Sequence, residues 1–260
     1  MTSLPFFQVD AFAERPLTGN PAAVMPLQSW LDDRLMQAIA AENNLSETAF
    51  TVASHGDDAD YDLRWFTPTT EVDLCGHATI AAGHVLLAGE RVRFATRSGI
   101  LSVTRNGELL QLDLPAYPVE PGELPGLLPA LGLGDAPLFL SRGGNGSAIV
   151  LLADEAAVRA VKPDFAALRA FDRLAIVTAP GNVHAIASRV FAAYHGIDED
   201  PVTGSAHAAL VPFWAERLGR DEFTALQASA RSGLLQCRNV GDRVVLGGRC
   251  QTVITGTFQL

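Results

Sequence analysis

Two segments of this 260-residue chain read as helices with no wet face, and nothing else in the sequence constrains the fold as much. Gly76–Leu87 and Ser205–Leu218 are rich in alanine and apolar on every side, so each must be enclosed rather than laid on a surface. The residues leading into them are also alike. Glu71-Val72-Asp73-Leu74-Cys75-Gly76 precedes His77-Ala78, and Glu199-Asp200-Pro201-Val202-Thr203-Gly204 precedes Ser205-Ala206. A slide of 128 residues aligns both glutamates, both glycines and both alanines, and sets Phe66 opposite Tyr194. That offset is about half the chain, so two copies of one strand–loop–helix plan fit its length. The expected molecule has two halves, each a curled sheet wrapped round a buried helix, with equivalent helix N-termini facing a shared cleft. A glycine at a helix start leaves backbone N–H groups uncovered, which suits a carboxylate ligand.

The remaining pattern is an α/β (α+β) mixture in which strands outnumber helices. Glu47–Val52 and Tyr61–Thr67 have strand character, and Ile100–Thr104 and Glu108–Leu114 flank the Asn106-Gly107 hairpin signal. Ser29 reads as the N-cap of a helix carrying Leu31, Leu35, Met36 and Ile39 at helical spacing. Asp154 and Asp164 each read as caps of short helices, and Pro212 should kink the second long helix. Pro115–Pro137 carries six prolines and little periodicity, and the linker is placed there, giving an N-terminal lobe over 1–116 and a C-terminal lobe over 117–260, whose last strand can return to the first.

Charge and cysteine usage exclude several classes. With 29 acidic against 19 basic residues the chain carries ten net negative charges, which disfavours a nucleic-acid partner. No apolar run approaches the roughly 20 residues that cross a bilayer. The three cysteines, Cys75, Cys237 and Cys250, are scattered, which argues for reduced thiols in a cytoplasmic setting. The first ten residues lack the pattern of a secretion signal. No Gly-x-Ser-x-Gly elbow supports a hydrolase. His77 and His84 stand seven apart, and no helical His-x-x-x-His pair offers a metal site. Gly143-Gly144-Asn145-Gly146 reads as a turn rather than a phosphate cradle.

Four blocks then carry a family resemblance. They are Gly19-Asn20-Pro21, Asn44-Leu45-Ser46-Glu47-Thr48, Phe66-Thr67-Pro68 with Glu71 and Leu74-Cys75-Gly76-His77-Ala78-Thr79, and Glu199–Ala206. In this order, over nearly the whole chain, they resemble the PhzF family of phenazine biosynthesis. The resemblance implies a diaminopimelate-epimerase-like fold of two pseudo-symmetric lobes, often a homodimer. It implies isomerase chemistry on a small carboxylic acid, without cofactor or metal. Position by position, Glu47 matches the family's catalytic glutamate, and His77 and Asp200 match its supporting acid/base residues. Ser46, Gly76, Gly204 and Ser205, with Asn20, match positions that hold the substrate.

Those residue types suit the chemistry. Taking a proton from carbon requires a base lifted toward working pH, and an apolar cleft does this to a carboxylate. Glu47 opens an apolar strand, so burial of its head is expected. One base that collects and returns a proton on the same face gives a shift rather than an inversion. His77 and Asp200 would hold the substrate and steady developing negative charge. The rival of the same fold is an epimerase or racemase using Cys75 and Asp200. The rival of another class is a non-catalytic binding or scaffold protein.

Overall fold

The protein, as a computed structural model, is described over residues 2–141 and 146–260. It divides into two compact units: Met1–Asp113 with Gly247–Leu260, and Leu114–Leu246. Of the glycine turn expected at 143–146, residues 143–145 lie outside the described residues.

The first unit contains β1 (Ser3–Ala11), β2 (Asn20–Leu27), α1 (Asp33–Asn43), β3 (Glu47–Ala53), β4 (Tyr61–Phe66), β5 (Glu71–Val72), α2 (Gly76–Leu86), β6 (Arg91–Thr96), β7 (Gly99–Asn106) and the start of β8 (Leu109–Pro115). The second holds β9 (Val119–Pro121), α3 (Leu127–Ala130), β10 (Leu138–Ser141), β11 (Ser147–Leu151), α4 (Glu155–Ala160), α5 (Phe165–Leu168), β12 (Leu174–Pro180), β13 (Ile186–Ala192), β14 (Ile197–Asp200), α6 (Gly204–Leu218), β15 (Glu222–Gln227), β16 (Gly233–Val240) and most of β17 (Arg243–Gly248). The last strand, β18 (Cys250–Gln259), pairs with β1 in the first unit.

The two units repeat one pairing scheme. In the first, β1 meets β2 antiparallel, β2 meets β3 parallel, β3, β4 and β5 follow antiparallel, β4 meets β6 parallel, and β6 meets β7 antiparallel. In the second, β10 to β16 do the same in the same order. Parallel neighbours need a crossover, and in each copy a long helix supplies the second one. Each copy is therefore a mostly antiparallel sheet with a helix packed on it. α2 lies against β1, β2, β3, β7 and β18, and α6 lies against β11 and β16.

Matching ion pairs brace the two copies. On β4, Arg64 holds Glu71 with two near-parallel N–H···O bonds of 2.7 and 2.8 Å; on β13, Arg189 holds Glu199 with bonds of 2.7 and 2.9 Å. Each guanidinium also sits over the phenylalanine two residues on, Phe66 at 5.2 Å and Phe191 at 5.0 Å. Phe66 thus corresponds to Phe191. The expected equivalence with Tyr194 is wrong, because Tyr194 lies in a short 3-10 turn beyond β13 and is half exposed. Three extra residues enter the second copy between its phenylalanine and its glutamate.

The long helices behave as their composition requires. Every residue from Gly76 to Gly83 is buried. Gly83 has no room for a side chain: a Cβ there would stand 2.6 Å from Val103 Cγ1 on β7. α6 runs unbroken through Pro212. A proline lacks the N–H that would bond four residues back, and here the carbonyl of Ala208 instead accepts the Tyr117 N–H at 2.9 Å. α1 is capped by Asp32, whose carboxylate accepts the Arg34 N–H at 3.0 Å, and not by Ser29. Asp154 and Asp164 cap as expected, through Ala157 and Ala167 N–H. The stretch 115–137 is no bare linker. It forms β9, paired with β10, and α3, and it buries Leu127 and Leu131 in the second core. Its prolines fall where no amide is needed: Pro129 sits in the first turn of α3, whose N–H groups have no intrahelical partner. Among the described residues no helix is long and apolar enough to cross a membrane.

Gly83→Ala should cost about 1–3 kcal/mol of stability through overpacking against a stiff β-branched side chain. This outweighs the helix preference of about 1 kcal/mol that alanine brings. Chemical denaturation would register the loss, and Val103→Ala in the same chain should restore part of it.

Candidate active site

In the first unit the parallel register places Ala22 of β2 beside Glu47, the first residue of β3. Asn20, two residues earlier, is fully buried. Asn44 ends α1 in the left-handed region (φ 49°), which turns the chain sharply into Ser46 and Glu47. α2 begins at Gly76, with Cys75 at the N-cap position and making no side-chain cap bond. These elements bring four of the expected residues together. His77 Nε2 stands 3.0 Å from Glu47 Oε2, with side-chain exposures of 5% and 12%. The contact is bent, and neither atom has an aligned hydrogen bond of its own. On the far edge of the ring, Nδ1 meets the Asn20 amide nitrogen at 3.2 Å and Cys75 Sγ at 3.6 Å. The Ser46 hydroxyl donates to Asn20 Oδ1 at 3.2 Å.

Ser46, Asn20, His77 and Glu47 therefore form a relay, and its middle member can follow charge. With Nδ2 toward the ring, Asn20 fits a neutral imidazole; after a half-turn Oδ1 would accept from a protonated Nδ1. Ser46 serves either state, since a hydroxyl both donates and accepts. Burial alone pulls the His77 pKa down, but the contacts with Cys75 and Glu47 outweigh it and lift His77 well above its usual 6.5. Burial, aided by Glu47, pushes the Cys75 thiol up to about 11. Cys75 is thus a neutral thiol near pH 7 and meets His77 Nδ1 as a hydrogen-bond partner.

Glu47, Cys75 and His77 also bring ligand atoms within 4.8 Å of one another. The sulfur faces Nδ1 and the carboxylate faces Nε2, on opposite edges of the imidazole. One ion could not take all three without turning the ring, so the arrangement does not fit a shared metal.

In the second unit, Asp200 ends β14 and Thr203 occupies the N-cap position of α6; both are buried. Thr203 Oγ1 donates to Asp200 Oδ2. Gly204 and Ser205 form the first turn of α6, where backbone N–H groups have no intrahelical acceptor. His207 is fully buried and donates from Nδ1 to the Thr203 carbonyl at 2.8 Å. Burial drops its pKa to about 4, so it stays neutral where His77 is charged. The sequence reading passed over Thr203 as a site residue and missed Gln227 altogether. Gln227 ends β15, a strand whose text carries no motif.

Two mostly antiparallel copies, each with titratable side chains beside the first turn of an enclosed helix, form an epimerase-like fold. The family described as phenazine biosynthesis-like protein (PhzC-PhzF) matches residues 9–256. An uncharacterised isomerase of Pseudomonas aeruginosa is 50% identical over 99% of both chains. The crystal structure of a PhzF-family protein from Enterococcus faecalis superposes with a TM-score of 0.91 over 100% of both chains, at 43% identity. A hydroxyproline epimerase from Agrobacterium vitis shares the fold alone, with a TM-score of 0.64 at 12% identity over 98% of this chain and 92% of that one. The chain belongs to the PhzC-PhzF family, and its curated relatives make it an isomerase.

Two pH effects of opposite sign follow. The raised His77 contributes stability that is full below about 6.5 and is lost as pH rises through its folded value. In Glu47→Gln the titration of His77, followed by imidazole NMR, should fall markedly, because burial then meets less opposition; an unmoved midpoint would remove Glu47 as the supporting charge. The lowered His207 acts the other way: stability is full above about 6.5 and declines toward pH 4, by about 3 kcal/mol in all. Denaturation midpoints of His207→Gln should show a correspondingly flatter acid limb.

Proposed function

We propose that the protein moves a proton between carbons of a small carboxylic acid, with Glu47 as the group that takes it up and returns it. The observation that carries this reading is the contact of 3.0 Å between Glu47 Oε2 and His77 Nε2, at the head of a buried helix. As a carboxylate, Glu47 accepts a proton from one carbon, and the electron pair left behind shifts along the substrate. As the acid, Glu47 then delivers that proton to a second carbon on the same face, so substrate and product have the same atoms. His77, charged through its neighbours, orients the carboxylate and opposes its negative charge. Asp200 is the second acid/base group we assign to the reaction. The helix-start backbone at Gly76, Gly204 and Ser205 suits the substrate carboxylate, and Ser46 and Asn20 hold His77 in register.

The raised Cys75 thiol supports Glu47 over Cys75 as the base, because little thiolate exists near neutrality. The reading needs no cofactor. We further propose a homodimer in a reducing, cytoplasmic setting, which accords with three free cysteines.

Incubation with a panel of cyclic and amino carboxylic acids in heavy water should place deuterium in product. Glu47→Gln should slow that incorporation by about 10²–10⁴-fold, while calorimetric affinity for the same acid changes by less than about tenfold, or about 1.4 kcal/mol. Full incorporation by the variant would remove Glu47 from the reaction, and loss of binding alongside turnover would make it a ligand contact instead. Sedimentation of the purified chain tests the dimer.

A further inference from the structure

Gln227 is fully buried, and its carboxamide has no ambiguity of direction. Nε2 donates to the Asp200 carbonyl at 2.7 Å and to Thr203 Oγ1 at 3.2 Å, while Oε1 accepts the Thr203 N–H at 2.9 Å. Turning the amide over would set its oxygen against a carbonyl and its NH2 against an N–H. The Thr203 hydroxyl therefore receives a donor from Gln227, and its own single proton is directed to Asp200 Oδ2. That oxygen must be an unprotonated acceptor. Of the nearby titratable groups, Glu199 pairs with Arg189, and His207 gives Nδ1 to the Thr203 carbonyl.

We infer that Gln227 is a positioning residue for Asp200: through the Thr203 hydroxyl it holds Oδ2 as an ionised acceptor, and through the Asp200 carbonyl it fixes the backbone that carries the carboxylate. The importance of this for turnover rests on the function proposed for Asp200; the hydrogen-bond direction itself does not.

The test is a double-mutant cycle read on the Asp200 carboxyl carbon by NMR titration, in the full chain without substrate. Thr203→Val removes the donor and should raise the Asp200 midpoint by about one pH unit, whereas Thr203→Ser keeps the hydroxyl and should leave it within a few tenths. Gln227→Glu puts an acceptor where the donor was and adds a charge. Its charge acts with or without the hydroxyl, so it should raise the midpoint by at least half a unit more in the Thr203 chain than in the Thr203→Val chain. Equal shifts in the two backgrounds, or lower melting temperatures with an unmoved midpoint, would overturn the inference. Should the variants fail to fold, the unaltered protein decides. Its Thr203 hydroxyl proton should exchange slowly above the Asp200 midpoint and broaden as Asp200 protonates, and a proton indifferent to that titration overturns the assignment. Because no substrate enters, the result stands apart from the proposed reaction. A shifted Asp200 with unchanged deuterium incorporation would uphold Gln227 and remove Asp200 from the chemistry.

Discussion

A helix with no polar face has to be enclosed, and this requirement organises both halves of the chain. Strands cover the flanks of α2 and α6, which leaves the first turn as the part where unpaired N–H groups can meet a ligand. The strand entering each helix must then be held, since a small shift there would displace every group at the helix start. The bidentate pairs of Arg64 with Glu71 and Arg189 with Glu199 do this. Planar guanidinium and carboxylate fix direction as well as distance, and the phenylalanine ring beneath each arginine restricts it further.

On this common frame the two copies have taken different chemistry. Where the first has Cys75 and His77 at the helix start, the second has Thr203 and Ser205; where the second has Asp200, the first has Val72. Glu47, which opens the first copy's β3, corresponds to Leu174 in the second. The braces stayed alike because both helices need them. The residues at the two helix starts did not: a thiol and an imidazole stand at one, two hydroxyls at the other.

Much of the frame was legible in the sequence. Alanine-rich composition identified both helices, Asn106-Gly107 fixed its hairpin through Gly107 (φ +61°), and the aspartate caps announced α4 and α5. The family motifs brought Glu47, His77, Asn20 and Ser46 into one group. What could not be read depended on contacts distant in the chain. A fixed slide of 128 cannot see a three-residue insertion, so Phe66 was matched to Tyr194. Prolines in 115–137 suggested a linker because composition does not reveal that Pro129 sits where an amide would be idle. The Ala208 carbonyl freed by Pro212 finds Tyr117 about ninety residues away, and Gln227 reaches Thr203 across 24 residues of chain. Such single polar residues carry no periodicity, and only the folded chain gives them a role.

The contrast between the two buried histidines shows what sets the electrostatics of such a site. His77 and His207 lie near the starts of equivalent helices, and burial penalises the charge on both. His207 meets a carbonyl, a dipole too weak to offset the penalty, and remains neutral. His77 meets a thiol and a carboxylate and is lifted instead. The difference lies in the partner, not in depth. In the reaction we propose, Glu47 has two roles at once: it offers the oxygen that exchanges a proton, and it supports the imidazole that holds that oxygen in place. A proton added to Glu47 weakens the support for the charge on His77, so uptake of a proton by one group favours release by the other. This coupling gives the pair a means to return what it takes, which a carboxylate alone in an apolar pocket lacks.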